Sequence, residues 1–168
     1  MKHAAMIRSP LASALAFALA LVACGPRPAH ARCAAPMRMA PDSIGAASLI
    51  QPAALNRMLA LPAARRPALL HVGFKVLYRG GHIPGSRYAG PTSKPEGMKA
   101  LHDALAPLPR TRTVVLYCGC CPWQDCPNVR PAYRAARALG FRNVRVLYVA
   151  KDFEHDWADA GLPVAKGE

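Results

Sequence analysis

Thr113-Val-Val-Leu-Tyr117, running into Cys118-Gly-Cys120-Cys121-Pro-Trp-Gln-Asp-Cys126-Pro-Asn-Val-Arg130, is the stretch from which the rest of the chain is best read. Its first five residues form an unbroken run rich in β-branched and aromatic side chains. Such a run is too short for an ordinary helix and predicts a buried strand. Beyond the cysteines, Ala132, Ala135, Ala136 and Leu139 recur at helical spacing and Gly140 closes the run, so a helix is expected there. Asn128 suits its cap, and Pro131 suits its first turn. The cysteines thus occupy a loop between a strand and a helix.

Outward from this unit the same alternation repeats. Pro52 opens a segment that places Leu55, Met58 and Leu59 on one helical face, and Ala68-Leu-Leu-His-Val72 is a compact apolar run ended by Gly73. Residues 95–105 set Met98, Leu101 and Leu105 at helical spacing; Val144-Arg-Val-Leu-Tyr148 reads as another strand, and residues 153–160 as a short final helix stopped by Gly161. Strands separated by helices of this length pair in parallel through crossovers, giving an α/β domain of three layers with a central parallel sheet flanked by helices. In such open sheets ligands meet the loops at the carboxyl ends of strands, and the loop after Tyr117 holds that position.

Four of the six cysteines fall within the nine residues 118–126. A thiol at a strand end facing a helix N-terminus meets unpaired N–H groups and the positive end of the helix dipole, which favour the nucleophilic thiolate. Cys118 is expected to gain most from this, although Cys126 lies nearer the helix and competes. Four uses of the cluster fit the residues: a thiol nucleophile, a redox disulfide, structural disulfides such as Cys121 with Cys126, and a thiophilic metal site. The separated CxxC pairs of common zinc sites are missing, so no metal and no cofactor are expected. Arg130 offers a planar fork to an anionic substrate, or serves only as a surface residue of the first helical turn. His82 reads as a turn residue, His71 as a satisfied strand residue, Trp123 as a packing residue and Trp157 as core.

From Ser48 to Val164 the chain resembles a single rhodanese-like domain. The resemblance rests on Leu69-Leu-His-Val72, the turn Gly81-His-Ile-Pro-Gly-Ser86, Val114-Val-Leu-Tyr117-Cys118, Arg130-Pro-Ala132, Leu139-Gly-Phe-Arg-Asn-Val144, and the ending from Trp157 through Gly161-Leu-Pro-Val164. In the turn, Pro84 followed by Gly85 suits a type II conformation. What the resemblance implies is a thiosulfate sulfurtransferase-like activity. Cys118, at the family's catalytic position, would carry a sulfane sulfur as a persulfide from a small donor to a thiol or cyanide. Cys120, Cys121 and Cys126 would then be second nucleophiles, resolving thiols or disulfide partners, and Arg130 would bind substrate. Three features depart from the family pattern. Eleven residues separate Cys118 from Arg130 where four are usual. His71-Val72-Gly73 replaces an acidic residue followed by Val-Arg, and Ala150-Lys-Asp152 stands where a glycine pair precedes the last helix. A Cys-x5-Arg phosphatase loop is excluded, because the residues six beyond the four cysteines are Gln124, Cys126, Pro127 and Ala132. The alternative is a non-enzymatic metal- or thiol-binding protein on the same fold.

The N-terminus reads as an address. Lys2 and Arg8 precede a short apolar run ending in Leu21-Val-Ala-Cys24, which resembles a bacterial lipobox. The expectation is a signal peptide over residues 1–23 and Cys24 lipidated as the mature N-terminus, holding a periplasmic chain on a membrane. Ala29-His-Ala31 offers a rival cleavage site that would release a soluble protein, and an uncleaved anchor is a third possibility. Residues 24–47, with four prolines and Cys33, read as a flexible tether before a domain at 48–166. Lys and Arg total 22 against 9 Asp and Glu, but they are scattered, so no nucleic-acid partner is expected.

Overall fold

The elements follow in the order β1 (Leu49–Ile50), α1 (Pro52–Leu59), β2 (Ala68–His71), α2 (Lys75–Gly80), β3 (Arg87–Tyr88), α3 (Pro95–Leu105), β4 (Val114–Tyr117), α4 (Val129–Ala138) and β5 (Val144–Leu147), with a π-helical turn over Glu154–Ala158. They come from a computed structural model that describes residues 44–168. The expected leader, Cys24, the Ala29-His-Ala31 site and Cys33 lie outside the described residues. Among those described, no helix is long and apolar enough to cross a membrane.

All strand pairings are parallel, in the order β1-β5-β4-β2-β3. Strand β4 is therefore central, and all four of its side chains are buried. Alternation along it serves two cores. Val114 and Leu116, continued by Cys118, face a core shared with Leu101, Leu105, Val129, Ala132 and Ala136 of α3 and α4. Val115 and Tyr117 face Leu55 of α1, Ile83, Leu147 and Trp157. Each face of the sheet is thus covered by helix, the three-layer α/β arrangement expected from the sequence.

The fold also claims residues that composition assigns to the tether. Ile44 is 7% exposed within the first core, and Arg145 donates to the Ala47 carbonyl. A proline-rich segment carries no periodicity to announce such an isolated anchor. The last helix differs as well: it closes with i→i+5 bonds, Asp159 N–H to Glu154 O at 2.8 Å and Leu162 N–H to Trp157 O at 3.2 Å. Trp157 is fully buried, as expected, and donates through Nε1 to the Pro163 carbonyl.

Candidate active site

Tyr117 fixes the point from which the cysteine loop departs. Its hydroxyl accepts from Ile83 N–H at 3.1 Å and pairs with Ser86 Oγ at 2.7 Å, so the Gly81–Ser86 turn is tied to the end of β4. Burial is the first cause that raises the Tyr117 phenol far above its ordinary range, which keeps it neutral as a structural hydrogen-bonding group. Gly85 in that turn has φ +78°, the positive value that only glycine adopts at little cost. The turn's second anchor is an antiparallel bridge between His82 and Ala165, and His82 Nδ1 lies 2.8 Å from Tyr78 O.

Cys118 leaves the strand with its thiol turned inward, 3% exposed. Gly119 follows at φ +81°, and this left-handed residue swings the chain so that Cys120 Sγ comes back to 3.2 Å from Cys118 Sγ. The Gly119 backbone lies against Phe153: an added Cβ would sit 2.7 Å from Phe153 Cβ, and Phe153 N–H donates to Gly119 O. Cys120 is exposed, with Cys121 Sγ 3.1 Å beyond it; all four loop cysteines are free thiols.

Asn128, fully buried, organises the far end of the loop. It occupies the cap position of α4, yet its side chain makes no capping bond. Instead Oδ1 accepts from Ser93 N–H at 2.9 Å, Nδ2 points at Cys118 Sγ at 3.6 Å, and Thr92 Oγ1 donates to its carbonyl. Two residues earlier, Cys126 is 2% exposed. Of the two buried thiols, the electrostatics make Cys126 the more acidic. The neighbouring Cys118 thiol, with its Sγ within 4.8 Å, and the backbone N–H groups of Asn128 and Val129 hold Cys126 down at about 6 against the opposing effect of burial. Cys118 is pushed well above the ordinary thiol range, first by the same neighbour and then by burial. A pH titration of thiolate ultraviolet absorbance should accordingly show one ionisation near 6, complete by neutrality, and Cys126→Ser should remove that step. A first ionisation only near the ordinary thiol value of about 8.5 would overturn this pairing.

A cavity of about 540 Å³ opens over Cys118, Gly119 and Cys120, walled by His71, Val76, Leu77, Phe153, Asp152 and Lys166 among others. Cys126 is not part of its wall. His71 is a neutral ring, drawn down to about 4 by burial although its bond to the Cys118 backbone opposes this, and its Nδ1 accepts from Gly73 N–H. Arg130 is directed elsewhere: its guanidinium donates to Gln124 O at 3.2–3.3 Å and lies over the Trp123 ring. Phe153, Val76, Leu77 and Lys166 of the wall carry no chemical signature in sequence, and only the fold collects them. A larger hollow of about 640 Å³ beside the start of β2 has no cysteine or histidine in its wall. The Sγ atoms of Cys118, Cys120 and Cys126 all lie within 4.8 Å of one another, a spacing from which three thiolates can close on a thiophilic cation.

The Rhodanese-like domain family model matches residues 52–149, and the chain belongs to that family. Its fold is similar to the solution structure of the rhodanese-like domain of the Anabaena sp. Alr3790 protein, at 21% identity and TM-score 0.51, covering 71% of this chain and 80% of that one. A crystal structure of the Anabaena protein gives 22%, 0.53, 70% and 82%. An EanB variant in complex with hercynine is similar at 17% identity and TM-score 0.52, over 71% of this chain but 27% of that one. No curated protein matches the sequence.

Proposed function

We propose that the domain is a sulfurtransferase in which Cys118 takes the outer sulfur of a small donor such as thiosulfate and hands it to a thiol or cyanide. The observation that carries this reading is a division of labour between two buried sulfurs. Cys118 faces the cavity at the end of the central strand, whereas Cys126, the more acidic thiol, lies outside the cavity wall beside the start of α4. In the first step the Cys118 sulfur bonds to the outer sulfur of thiosulfate, and its proton passes to Cys126. The bond between the two thiosulfate sulfurs breaks, and sulfite leaves with that electron pair. Charge is conserved, and no cofactor enters.

Lys166 is the cation in the cavity wall, which Asp152 and Glu154 also line, so one ammonium is there to meet the donor's charge. Arg130 serves in this reading to brace the long loop through Gln124 and Trp123. The test is a single turnover of the reduced full chain with thiosulfate. Sulfite release stoichiometric with chain is expected; none at all would overturn the reading. A second reading, metal binding without turnover, has the three-thiol cluster in its favour. Stoichiometric Cu(I) or Zn(II) on the purified chain, with no sulfite release once it is stripped, would carry that alternative.

A further inference from the structure

A sulfurtransferase with one cysteine can only hold its persulfide until an outside acceptor arrives. This loop differs, because a second thiol is already within attacking distance. We propose that Cys120 resolves the Cys118 persulfide within the same chain, releasing hydrosulfide and leaving a Cys118–Cys120 disulfide. The inference rests on Cys118 taking up sulfur as described above, and it adds a further activity, a thiosulfate-to-sulfide conversion that ends in an oxidised enzyme.

The geometry assigns this role to Cys120 among the three remaining thiols. Its Sγ is 3.2 Å from Cys118 Sγ, and closure to the disulfide length of about 2.0 Å asks for little more than a side-chain rotation. The turn that sets this distance is built in, since Gly119 at φ +81° is packed on Phe153 and bonded to its N–H. Cys120 is also the exposed member, so the oxidised pair is open to an external dithiol. Cys126 is buried and outside the cavity wall, and after the first step it carries the proton of Cys118, so it is a neutral thiol when the persulfide forms. Cys121 lies beyond Cys120, 3.1 Å from its sulfur, placed to receive the disulfide rather than form it first.

The step balances as follows in bonds and electrons. Cys120 gives its proton to the outer sulfur, left anionic by the first step, and its Sγ attacks the inner, Cys118-bound sulfur; the Sγ–Sγ bond forms, and the bond to the sulfane sulfur breaks. Hydrosulfide leaves with that electron pair and with the proton from Cys120. The sulfane sulfur is reduced, and the two cysteine sulfurs together supply the two electrons. Discharge therefore needs no outside reductant, whereas the next cycle needs a dithiol, by ordinary thiol–disulfide exchange.

The experiment is a single turnover of the reduced full chain with thiosulfate, under anaerobic conditions and without added thiol, reading sulfite, hydrosulfide and free thiols together. The expected result is hydrosulfide near parity with sulfite and an intact mass lower by two hydrogens. In Cys120→Ser the hydrosulfide-to-sulfite ratio should fall at least about ten-fold, and the persulfide should persist on the chain. Sulfite without hydrosulfide from the wild type, with a stable persulfide, overturns the resolving role while leaving sulfur uptake intact. An unchanged ratio in Cys120→Ser overturns the assignment to Cys120. No sulfite from the wild type would sink the uptake reading beneath both.

Discussion

Cys118→Ser is expected to release no sulfite from thiosulfate, a loss of at least about a thousand-fold, while the protein keeps its fold. A serine hydroxyl fits the buried site beside Asn128 Nδ2, but it is a far poorer nucleophile toward sulfur, and the start of α4 does nothing to ionise it. Cys126→Ser should behave differently. The nucleophile stays in place facing the cavity, but its proton no longer has a thiolate to receive it. Loss of a positioned base is worth about a hundred-fold or more at neutral pH. The sign of the pH response separates the two roles. With Cys126 present, the thiolate forms as pH rises through about 6, so the rate should level off by neutrality. Without it, Cys118 must ionise unaided, and the rate should keep climbing with pH. Single-turnover sulfite release across that range decides the matter. Full activity in Cys118→Ser with complete loss in Cys126→Ser would move the nucleophile to the helix end.

How far the sequence reveals this site depends on which forces write themselves into a linear pattern. The central strands are legible because burial on both faces demands continuous apolar runs, as in Val114-Val-Leu-Tyr117. By contrast, β1 and β3 are two residues each, too short for any period, and exist because β5 and β2 present unpaired edges to Leu49–Ile50 and Arg87–Tyr88. The helix α2 leaves no amphipathic trace, since Val76 is 75% exposed and Leu77 also faces outward, beside the cavity. In α4 the buried alanines Ala132 and Ala136 are read correctly, yet Val129 and Tyr133 complete the face. The cysteine cluster announces itself by composition. Which sulfurs meet, and where the negative charge settles, does not. Those outcomes follow from Gly119 turning the chain back and from Cys126 lying two and three residues before the N–H groups that receive it.

Gly73 is the clearest case of a residue whose meaning only the fold discloses, and Gly73→Ala should disable the site. At the end of β2, where the family pattern has a long basic side chain, this chain has none. The reason is the sulfur of Cys118. A Cβ on Gly73 would stand 2.6 Å from Cys118 Sγ, 3.0 Å from His71 Cε1 and 3.3 Å from Cys118 O. Cysteine has a single side-chain torsion, so Sγ can escape only by rotating away from its present rotamer, which takes it off Cys126 and out of the three-thiol cluster. Gly73 has no positive φ, so alanine brings no backbone strain and the clash acts alone. Overpacking of this kind costs about 1–3 kcal/mol of stability. The larger effect is chemical: once Cys118 S–H leaves Cys126, sulfite release should fall at least about a hundred-fold and the thiolate midpoint should rise above 6. A double-mutant cycle isolates the cause. In a Cys118→Ala background the sulfur is gone, and Gly73→Ala should then cost less than about 1 kcal/mol, a coupling expected only of residues in contact. Equal destabilisation in both backgrounds, measured by denaturant unfolding, would show that Gly73 is held by something other than the Cys118 sulfur.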